Sequence, residues 1–314
     1  MQSYVLRRIL SLIPVLLVVS FVVYAVMFFT LGDPATMMMG QEADAQTVAK
    51  VRHELGLDRP MIVQYLHWLG NALRGDMGTS FRNSEPVMKL ILQRFPVTLE
   101  LTLLSTLVAI LVGFPLGIFA ALKENTRTDV LISTAAAFGV AMPNFWNGIL
   151  LILLFGLILR WLPMAGYMPF TQDPIGNLSR MVLPTATLAL YYVATFLKYV
   201  RASMVDVLKQ RFVLTARARG VPERTVLMSY AFRSGLIPTV TVVGVEVGKL
   251  FAGAVVVETM FALPGMGRLV VDSIFTRDFP VFQAAVLFMA VAIFVSTLIV
   301  DILYAYLDPR IEYS

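Results

Sequence analysis

The sequence predicts an all-α polytopic membrane protein with six transmembrane helices, a long extracytoplasmic loop after the first, and a cytoplasmic helical segment between the fourth and fifth. Three observations lead to this prediction. Of 314 residues, 58% are hydrophobic and only 14% are charged, whereas soluble domains carry about 25% charged residues. Six apolar runs approach the length of about 20 residues that a helix needs to cross a bilayer. The lysines and arginines between these runs are unevenly distributed.

The composition also excludes several classes of function. The chain has no cysteine and only two histidines, which excludes a disulfide framework and a Cys/His zinc site. Residues 244–250 come nearest to a nucleotide-binding loop, but three residues instead of four separate the glycines, and leucine follows the lysine. A phosphate-binding loop needs the longer spacing and a hydroxyl residue after the lysine. We therefore expect no catalytic residue, metal or cofactor in this chain, which is not an enzyme.

The first predicted span covers residues 9–31, behind Arg7 and Arg8 and ahead of a Gly-Asp-Pro break. Its apolar run exceeds the roughly 7–15 residues of a signal-peptide core, and no Ala-x-Ala site follows, so we expect a retained anchor. The third span is long enough to tilt or to bend at Pro143. The remaining spans are predicted at residues 97–122, within 130–159, and at 181–197, 236–257 and 281–303.

The positions of the basic residues predict the orientation. Two lie before the first span, two in the loop 123–129, eight between residues 198 and 234 and one in the tail, whereas the short loops of the opposite side hold four. The positive-inside rule places both termini in the cytoplasm. The loop 32–96 is then extracytoplasmic by parity.

The extracytoplasmic loop has helical patterning of its own. Apolar residues at helical spacing predict one amphipathic helix over 42–55 and a second that begins after Pro60 and ends near Gly75. Asp58 is a candidate cap for the second helix.

Several residues within the spans are candidates for close helix packing or for the walls of a pathway. Pairs of glycines four residues apart let a second helix approach closely. Glu246 and Lys249 lie on one helix face, where they could neutralise each other, either pointing into an aqueous pathway or as an internal pair in a helix interface. Asp301 lies near the cytoplasmic end of the last span and is interpreted as an interfacial anchor. The pathway or packing candidates are Gly113, Pro115, Gly117, Pro143, Gly244, Glu246, Gly248 and Lys249.

The cytoplasmic segment 198–238 has an ordered pattern. The fourth helix is predicted to continue to Lys209, a short helix follows and ends at Gly220, and a further helix starts at Pro222 and ends at Gly235 and Pro238. The small side chains of its alanines make the short helix narrow enough to enter a groove. Its arginines supply positive charge for contact with a partner protein. Its residues are Thr215, Ala216, Arg217, Ala218, Arg219 and Gly220. A basic helix lying on anionic lipid is the alternative interpretation.

Ordered motifs over essentially the whole chain resemble the B-type permease subunits of binding-protein-dependent ABC importers of the peptide and nickel group. The run Thr-Ala-Arg-Ala-Arg-Gly ending at Gly220, followed after seventeen residues by Pro238, is similar to that group's form of the EAA loop, with Thr-Ala-Arg in place of Glu-Ala-Ala. The other similar motifs are Tyr4-Val-Leu-Arg-Arg-Ile-Leu with Ile13-Pro14, Gly32-Asp33-Pro34, Leu55-Gly56-Leu57-Asp58, Gly75-Asp76-Met77-Gly78, Leu263-Pro-Gly-Met-Gly-Arg-Leu269, Arg277-Asp278-Phe279-Pro280, and Asp301 with Asp308-Pro309.

The resemblance implies a non-catalytic permease subunit in the bacterial inner membrane. It implies a second homologous permease subunit, two ATP-binding subunits that hold ATP and magnesium, and an extracytoplasmic substrate-binding protein. Residues 215–220 are then the coupling helix, seated in a cleft of the ATPase. The implied organisation is a cytoplasmic N-terminus and first span over 1–31, a helical loop over 32–96, a permease core over 97–306 and a cytoplasmic tail over 307–314.

The resemblance favours import of short peptides, from dipeptides and oligopeptides to glutathione, and leaves a nickel-importing permease of the same family open. A secondary transporter or channel that uses Glu246, Lys249 and Asp301 is the competing class. It would show two inverted repeats, and the sequence has no convincing repeat. No nucleic-acid partner is expected.

Overall fold

The computed structural model describes residues 2–30, 35–36, 44–54 and 56–307, and every regular element within those ranges is a helix. The predicted motif Gly32-Asp33-Pro34, part of the 42–55 helix and the tail after residue 307 lie outside the described residues. The helices are α1 Gln2–Thr30, α2 Ala45–Glu54, α3 Met61–Leu73, α4 Val87–Leu122, α5 Arg127–Ala141, α6 Asn144–Leu151, α7 Pro174–Leu208, α8 Arg211–Ala218, α9 Glu223–Thr225, α10 Phe232–Met260, α11 Met266–Phe275 and α12 Phe279–Leu307. Two π-helical stretches, Ile152–Ile158 and Val226–Ala231, follow α6 and α9.

Within the described residues, four helices are long and apolar enough to cross a membrane. The qualifying segments are Leu10–Phe29, Val87–Leu122, Pro174–Leu208 and Phe279–Val300. The chain bends by 103° between α5 and the segment Asn144–Ile158, and this pair makes a fifth span if it is counted as one. The predicted span 236–257 lies inside α10, which is not among these segments. The structure thus establishes a polytopic helical membrane protein with four or five such spans.

The bend between α5 and α6 lies at Pro143, so of the tilt and the bend that the sequence allowed, the structure has the bend. Met142 closes α5 with an extended backbone, and Pro143 occupies the N-cap of α6. Proline lacks the backbone N–H that a continuous helix needs, and the residue before it avoids helical geometry. The two segments are therefore separate helices joined by a sharp turn.

Long-range hydrogen bonds define two ends of the helical bundle. At the first, called the α8 end, Lys209 just after α7 pairs with Glu124, and Ser203 Oγ of α7 donates to the Gly235 carbonyl of α10. At the second, called the α3 end, the Gly166 N–H donates to the Phe261 carbonyl and Tyr167 donates to Glu100 of α4. Helices α4 and α7 consequently run from the α3 end to the α8 end, and α10 runs in the reverse direction.

The core is centred on the seam between α4 and α7, the most extensive helix contact in the described chain. Gly113 and Gly117 of α4 lie directly against α7, because a Cβ at Gly113 would be 2.9 Å from the Val193 carbonyl oxygen and one at Gly117 would be 2.8 Å from the Leu197 carbonyl oxygen. The largest cluster of buried side chains adds the inner face of α10 to this seam. Its bulky members include Leu101, Met181, Leu188, Phe196, Leu250 and Phe261.

Two local predictions differ from the structure. Asp58 does not cap α3, because Pro60 occupies the N-cap and the Asp58 carboxylate is instead 2.8 Å from His53 Nδ1. No helix ends at Gly235 and Pro238, since α10 continues through both. Gly235 is tightly packed against Met204 of α7, and neighbouring helices commonly stabilise proline within membrane helices.

Candidate functional site

The short helix α8 is fixed to the bundle by two of its eight residues. Val213 and Ala216, three positions apart, are buried against the α8 end of α7 and the π-helical stretch 226–231. The other six residues are exposed. Because only one narrow stripe of α8 is buried, this helix projects from the rest of the bundle. Its remaining surface is accessible to a partner.

The C-terminus of α8 is closed by a Schellman motif. The Val221 N–H donates to the Ala216 carbonyl at 3.2 Å and the Gly220 N–H donates to the Arg217 carbonyl at 2.9 Å. Gly220 has a φ of +76°, a left-handed conformation that glycine adopts without a steric penalty. The predicted end of the helix at Gly220 therefore agrees with the structure.

The exposed surface of α8 combines apolar and basic groups. Phe212 and Leu214 are 40% and 52% exposed. The Arg217 guanidinium makes two hydrogen bonds to the Glu223 carboxylate, at 2.6 and 3.1 Å. This contact lowers the pKa of Glu223 below its usual range. Since Arg217 is already paired within the chain, the exposed Arg219 is the more available charge for a partner.

A second group of contacts anchors the base of α8. Arg201 of α7 binds both carboxylate oxygens of Asp129 on α5, Nε to Oδ1 at 2.5 Å and the second nitrogen to Oδ2 at 2.6 Å. The Asn125 N–H and the Ser133 hydroxyl also donate to this carboxylate. Asp129 is buried, so this bidentate pair is shielded from solvent on the carboxylate side. The helix that leads into α8 is thereby fixed to α5.

Glu246 and Lys249 of α10 form the ion pair expected from their spacing, with Lys249 Nζ 2.7 Å from Glu246 Oε1. The Glu246 side chain is 8% exposed and the Lys249 side chain is 58% exposed. Glu246 is therefore the buried partner of this pair and Lys249 is the exposed one. On the same helix, Gly244 packs against Val300 and a Cβ at Gly248 would lie 3.2 Å from Thr297 Oγ1 of α12. These glycines thus lie in a helix contact. Asp301 belongs to α12, but its side chain is outside the described set.

A buried carboxylate at the α3 end was missed by sequence reasoning. Glu258 is fully buried, accepts a hydrogen bond from Thr98 Oγ1 of α4 at 2.6 Å, and accepts one from the Arg268 N–H at 3.0 Å. Thr98 Oγ1 in turn accepts the Met266 N–H at 2.7 Å. The first turn of α11 therefore encloses the carboxylate, and the glycines of the Leu-Pro-Gly-Met-Gly-Arg motif leave it room.

A similar contact joins the segment before α4 to the start of α12. The buried Asp278 carboxylate accepts the Ser80 hydroxyl at 2.5 Å and the Phe81 N–H at 3.1 Å. A pairing of acid and serine so far apart in the chain has no local sequence signal. The described residues contain no group of three or more His, Cys, Asp or Glu that could hold a metal ion.

Comparisons with known proteins decide the family. Residues 113–313 match the family described as the binding-protein-dependent transport system inner membrane component, and residues 1–102 match the N-terminal family of the same membrane component. The chain belongs to this family. The prediction of a non-catalytic membrane permease is thereby confirmed.

Full-length relatives agree with the family assignment. The chain is 41% identical over 314 residues, all of both chains, to a Brucella suis protein named as a peptide transport system permease. It is 42% identical, again over all of both chains, to the glutathione transport system permease protein GsiC of Salmonella typhimurium.

The fold also has a counterpart among solved structures. A chain of the MetNI methionine ABC transporter, solved in an inward-facing conformation, superposes with a TM-score of 0.59 at 13% identity. The match covers 72% of this chain and 99% of that one. Over the matched part, this permease therefore shares its fold with a chain of a known ABC transporter.

Proposed function

We propose that this chain is the membrane-spanning permease subunit of an ATP-driven importer of short peptides, from dipeptides to oligopeptides or glutathione. The observation that carries the proposal is the full-length similarity to permeases named for peptide and glutathione transport. The absence of cysteine and the two histidines disfavour a nickel site within this chain, because imidazole and thiolate are common ligands for such metals.

In this proposal α8 is the coupling helix, with residues 215–220 at the contact with an ATPase subunit. Its shape supports the assignment, since α8 is held by a narrow buried stripe and exposes Phe212, Leu214 and Arg219. The anchoring of its base through Arg201 and Asp129 would transmit a displacement of α8 to α5 and α7. Closure of the ATPase subunits would thus change the packing of the spans.

The proposed assembly contains one copy of this chain, a second related permease, two ATP-binding subunits and an extracytoplasmic binding protein. ATP and magnesium belong to the ATPase subunits. The proposed topology has six spans, including α10 and the bent pair α5–α6, with both termini in the cytoplasm and the loop 32–96 outside. The glycines of α4 and α10, Pro115, Pro143 and the Glu246–Lys249 pair are the proposed packing or pathway residues.

Uptake measurements test the proposal. The complete transporter is expressed in bacteria that lack their own peptide importers, and entry of a labelled dipeptide, tripeptide, glutathione and nickel is compared. We expect peptide or glutathione uptake that stops when ATP is depleted and continues when an ionophore collapses the ion gradients. Uptake that follows the ion gradient and not ATP would instead identify a secondary transporter, and uptake of nickel alone would refute the peptide assignment.

A further inference from the structure

A cavity of about 800 Å³ lies at the α3 end, between the last turns of α1, the turn from α2 to α3, one face of α3 and the start of α12. Tyr24, Met27 and Phe28 of α1 form one wall. Because α1 is apolar as far as Phe29, this wall belongs to the end of a membrane span. The cavity is therefore located where hydrocarbon gives way to water.

The polar lining of the cavity is basic. Arg52, His53, Arg59 and His67 line it, and these include both histidines of the chain. Among the residues that the structure describes, no Asp or Glu lines the cavity. The carboxylate of Asp58 hydrogen bonds to His53, but Asp58 is not among the lining residues. The lining therefore fits a ligand that carries negative charge.

The lining also contains an unsatisfied polar group and aromatic rings. Gln283 of α12 is 7% exposed, and the buried Trp68 Nε1 of α3 has no hydrogen-bond partner within the described residues. The rings of Tyr24 and Trp68 lie 6.0 Å apart at their centroids, and tyrosine and tryptophan are typical of the membrane–water interface. The exposed Ile62 and Leu66 continue the apolar surface of α3. A ligand here would meet both apolar and basic groups.

We propose that this cavity binds the phosphate headgroup of an anionic phospholipid, with the acyl chains against the end of α1. The headgroup phosphate would accept hydrogen bonds from Arg59, since a guanidinium group binds phosphate through paired donors. The acyl chains would cover the apolar wall formed by Met27 and Phe28. A lipid matches this lining better than a small soluble anion, which would leave that wall exposed.

Trp68 provides a local probe. Tryptophan occurs at only three positions of this chain, so replacing Trp146 and Trp161 by phenylalanine leaves Trp68 as its only tryptophan, and the same sample with Trp68→Phe gives the signal of any other subunits for subtraction. The purified protein, with whatever subunits it retains, is placed in lipid nanodiscs that contain brominated phosphatidylglycerol or brominated phosphatidylcholine. We expect stronger quenching of Trp68 by the anionic lipid, and we expect high salt to weaken the difference.

Substitutions on α3 and its preceding turn identify the residues responsible. Arg59→Gln should lower the preference for the anionic lipid about fivefold, the approximate effect of one basic residue at a membrane surface. His67→Gln should also lower the preference, because His67 is a second basic side chain of the cavity lining. Arg74→Gln is the matched control, because Arg74 is exposed at the end of α3 and does not line the cavity. It should leave the preference unchanged.

Three results would overturn the proposal. The first is equal quenching of Trp68 by the two lipids at low salt. The second is relief of quenching by millimolar inorganic phosphate or glycerol phosphate, which would assign the cavity to a free anion. The third is relief by a short peptide with a free carboxylate, which would assign it to a peptide ligand. The salt dependence needs no substitution in the cavity, so it tests the proposal even if Arg59→Gln fails to fold.

Discussion

Gly220 has the backbone conformation that closes α8, and no side chain occupies the space around the position of its Cβ. Replacing it by valine therefore introduces backbone strain and no steric clash. A left-handed conformation costs a residue with a side chain about 1–2 kcal/mol. That strain is small for the whole protein but large for an eight-residue helix held by two buried side chains.

We expect Gly220→Val to reduce ATP-dependent uptake strongly while the amount of protein in the membrane stays near normal. Gly166→Val is the control, because Gly166 also has a positive φ and open surroundings but lies at the α3 end. It introduces similar strain away from α8. Unchanged uptake with Gly220→Val, or equal losses with both variants, would contradict the coupling role of α8.

The bidentate contact between Asp129 and Arg201 is the most shielded ion pair among those described. Removing one partner of a buried pair leaves a charge without compensation, at a cost of about 3–5 kcal/mol. Since Arg201 is 29% exposed, we expect Asp129→Asn to cost about 3 kcal/mol, the lower end of that range. Thermal unfolding of the purified protein measures the loss.

Lys209→Gln is the comparison for the Asp129 variant. The distance from Lys209 Nζ to Glu124 Oε1 is also short, at 2.6 Å, but the Lys209 side chain is 62% exposed. Exposed pairs contribute about 0–1 kcal/mol. A loss of stability as large for Lys209→Gln as for Asp129→Asn would show that burial is not the deciding factor at the α8 end.

At the scale of single helices, the contact between α4 and α7 depends on the absence of side chains at Gly113 and Gly117. A Cβ at Gly117 would lie 2.8 Å from both the Leu197 carbonyl oxygen and Val200 Cβ. The backbone oxygen cannot move without displacing α7. The sequence predicted these glycines as contacts because of their spacing, but only the structure identifies the helix they contact.

We expect Gly117→Ala to destabilise the protein by about 1–3 kcal/mol, the typical cost of overpacking a core. Gly70→Ala in α3 is the matched control, since nothing lies within 4 Å of its Cβ position. Alanine favours helix over glycine by roughly 0.5–1 kcal/mol, so this control should be neutral or stabilising. The difference between the melting temperatures of the two variants measures how much the close contact between α4 and α7 stabilises the protein. Equal melting temperatures would mean that α4 and α7 separate easily.

Helix boundaries were predictable where a residue acts through its own backbone. Proline at residue 143 and glycine at residue 220 restrict or permit particular φ values regardless of what surrounds them, and both predictions agree with the structure. Asp58 and Pro238 behave differently because their role depends on neighbours. The Asp58 carboxylate binds His53 instead of capping α3, and α10 continues past Pro238.

For the whole molecule, the order of helices between the α3 end and the α8 end predicts that these ends face opposite sides of the membrane. The chain contains no cysteine, so single cysteines can be introduced at Arg82 and at Arg219, both exposed. In intact cells, a maleimide that does not cross membranes should label Arg82→Cys and leave Arg219→Cys unlabelled. Permeabilised cells should show labelling of both. The reverse pattern would invert the proposed orientation, and labelling of both in intact cells would contradict the proposed placement of the ends on opposite sides.

The sequence by itself determined that this protein is a helical membrane permease with several apolar spans and where α8 ends, and it offered residue 143 as a possible bend. These properties follow from hydropathy, backbone restriction and ordered motifs, which are all read along the chain. Tertiary structure alone decided that Arg201 binds Asp129, 72 residues away, and that Thr98 binds Glu258, 160 residues away. It also decided that both histidines line one basic cavity. Such pairings depend on which helix faces meet, because side chains separated in sequence become neighbours only when the helices pack.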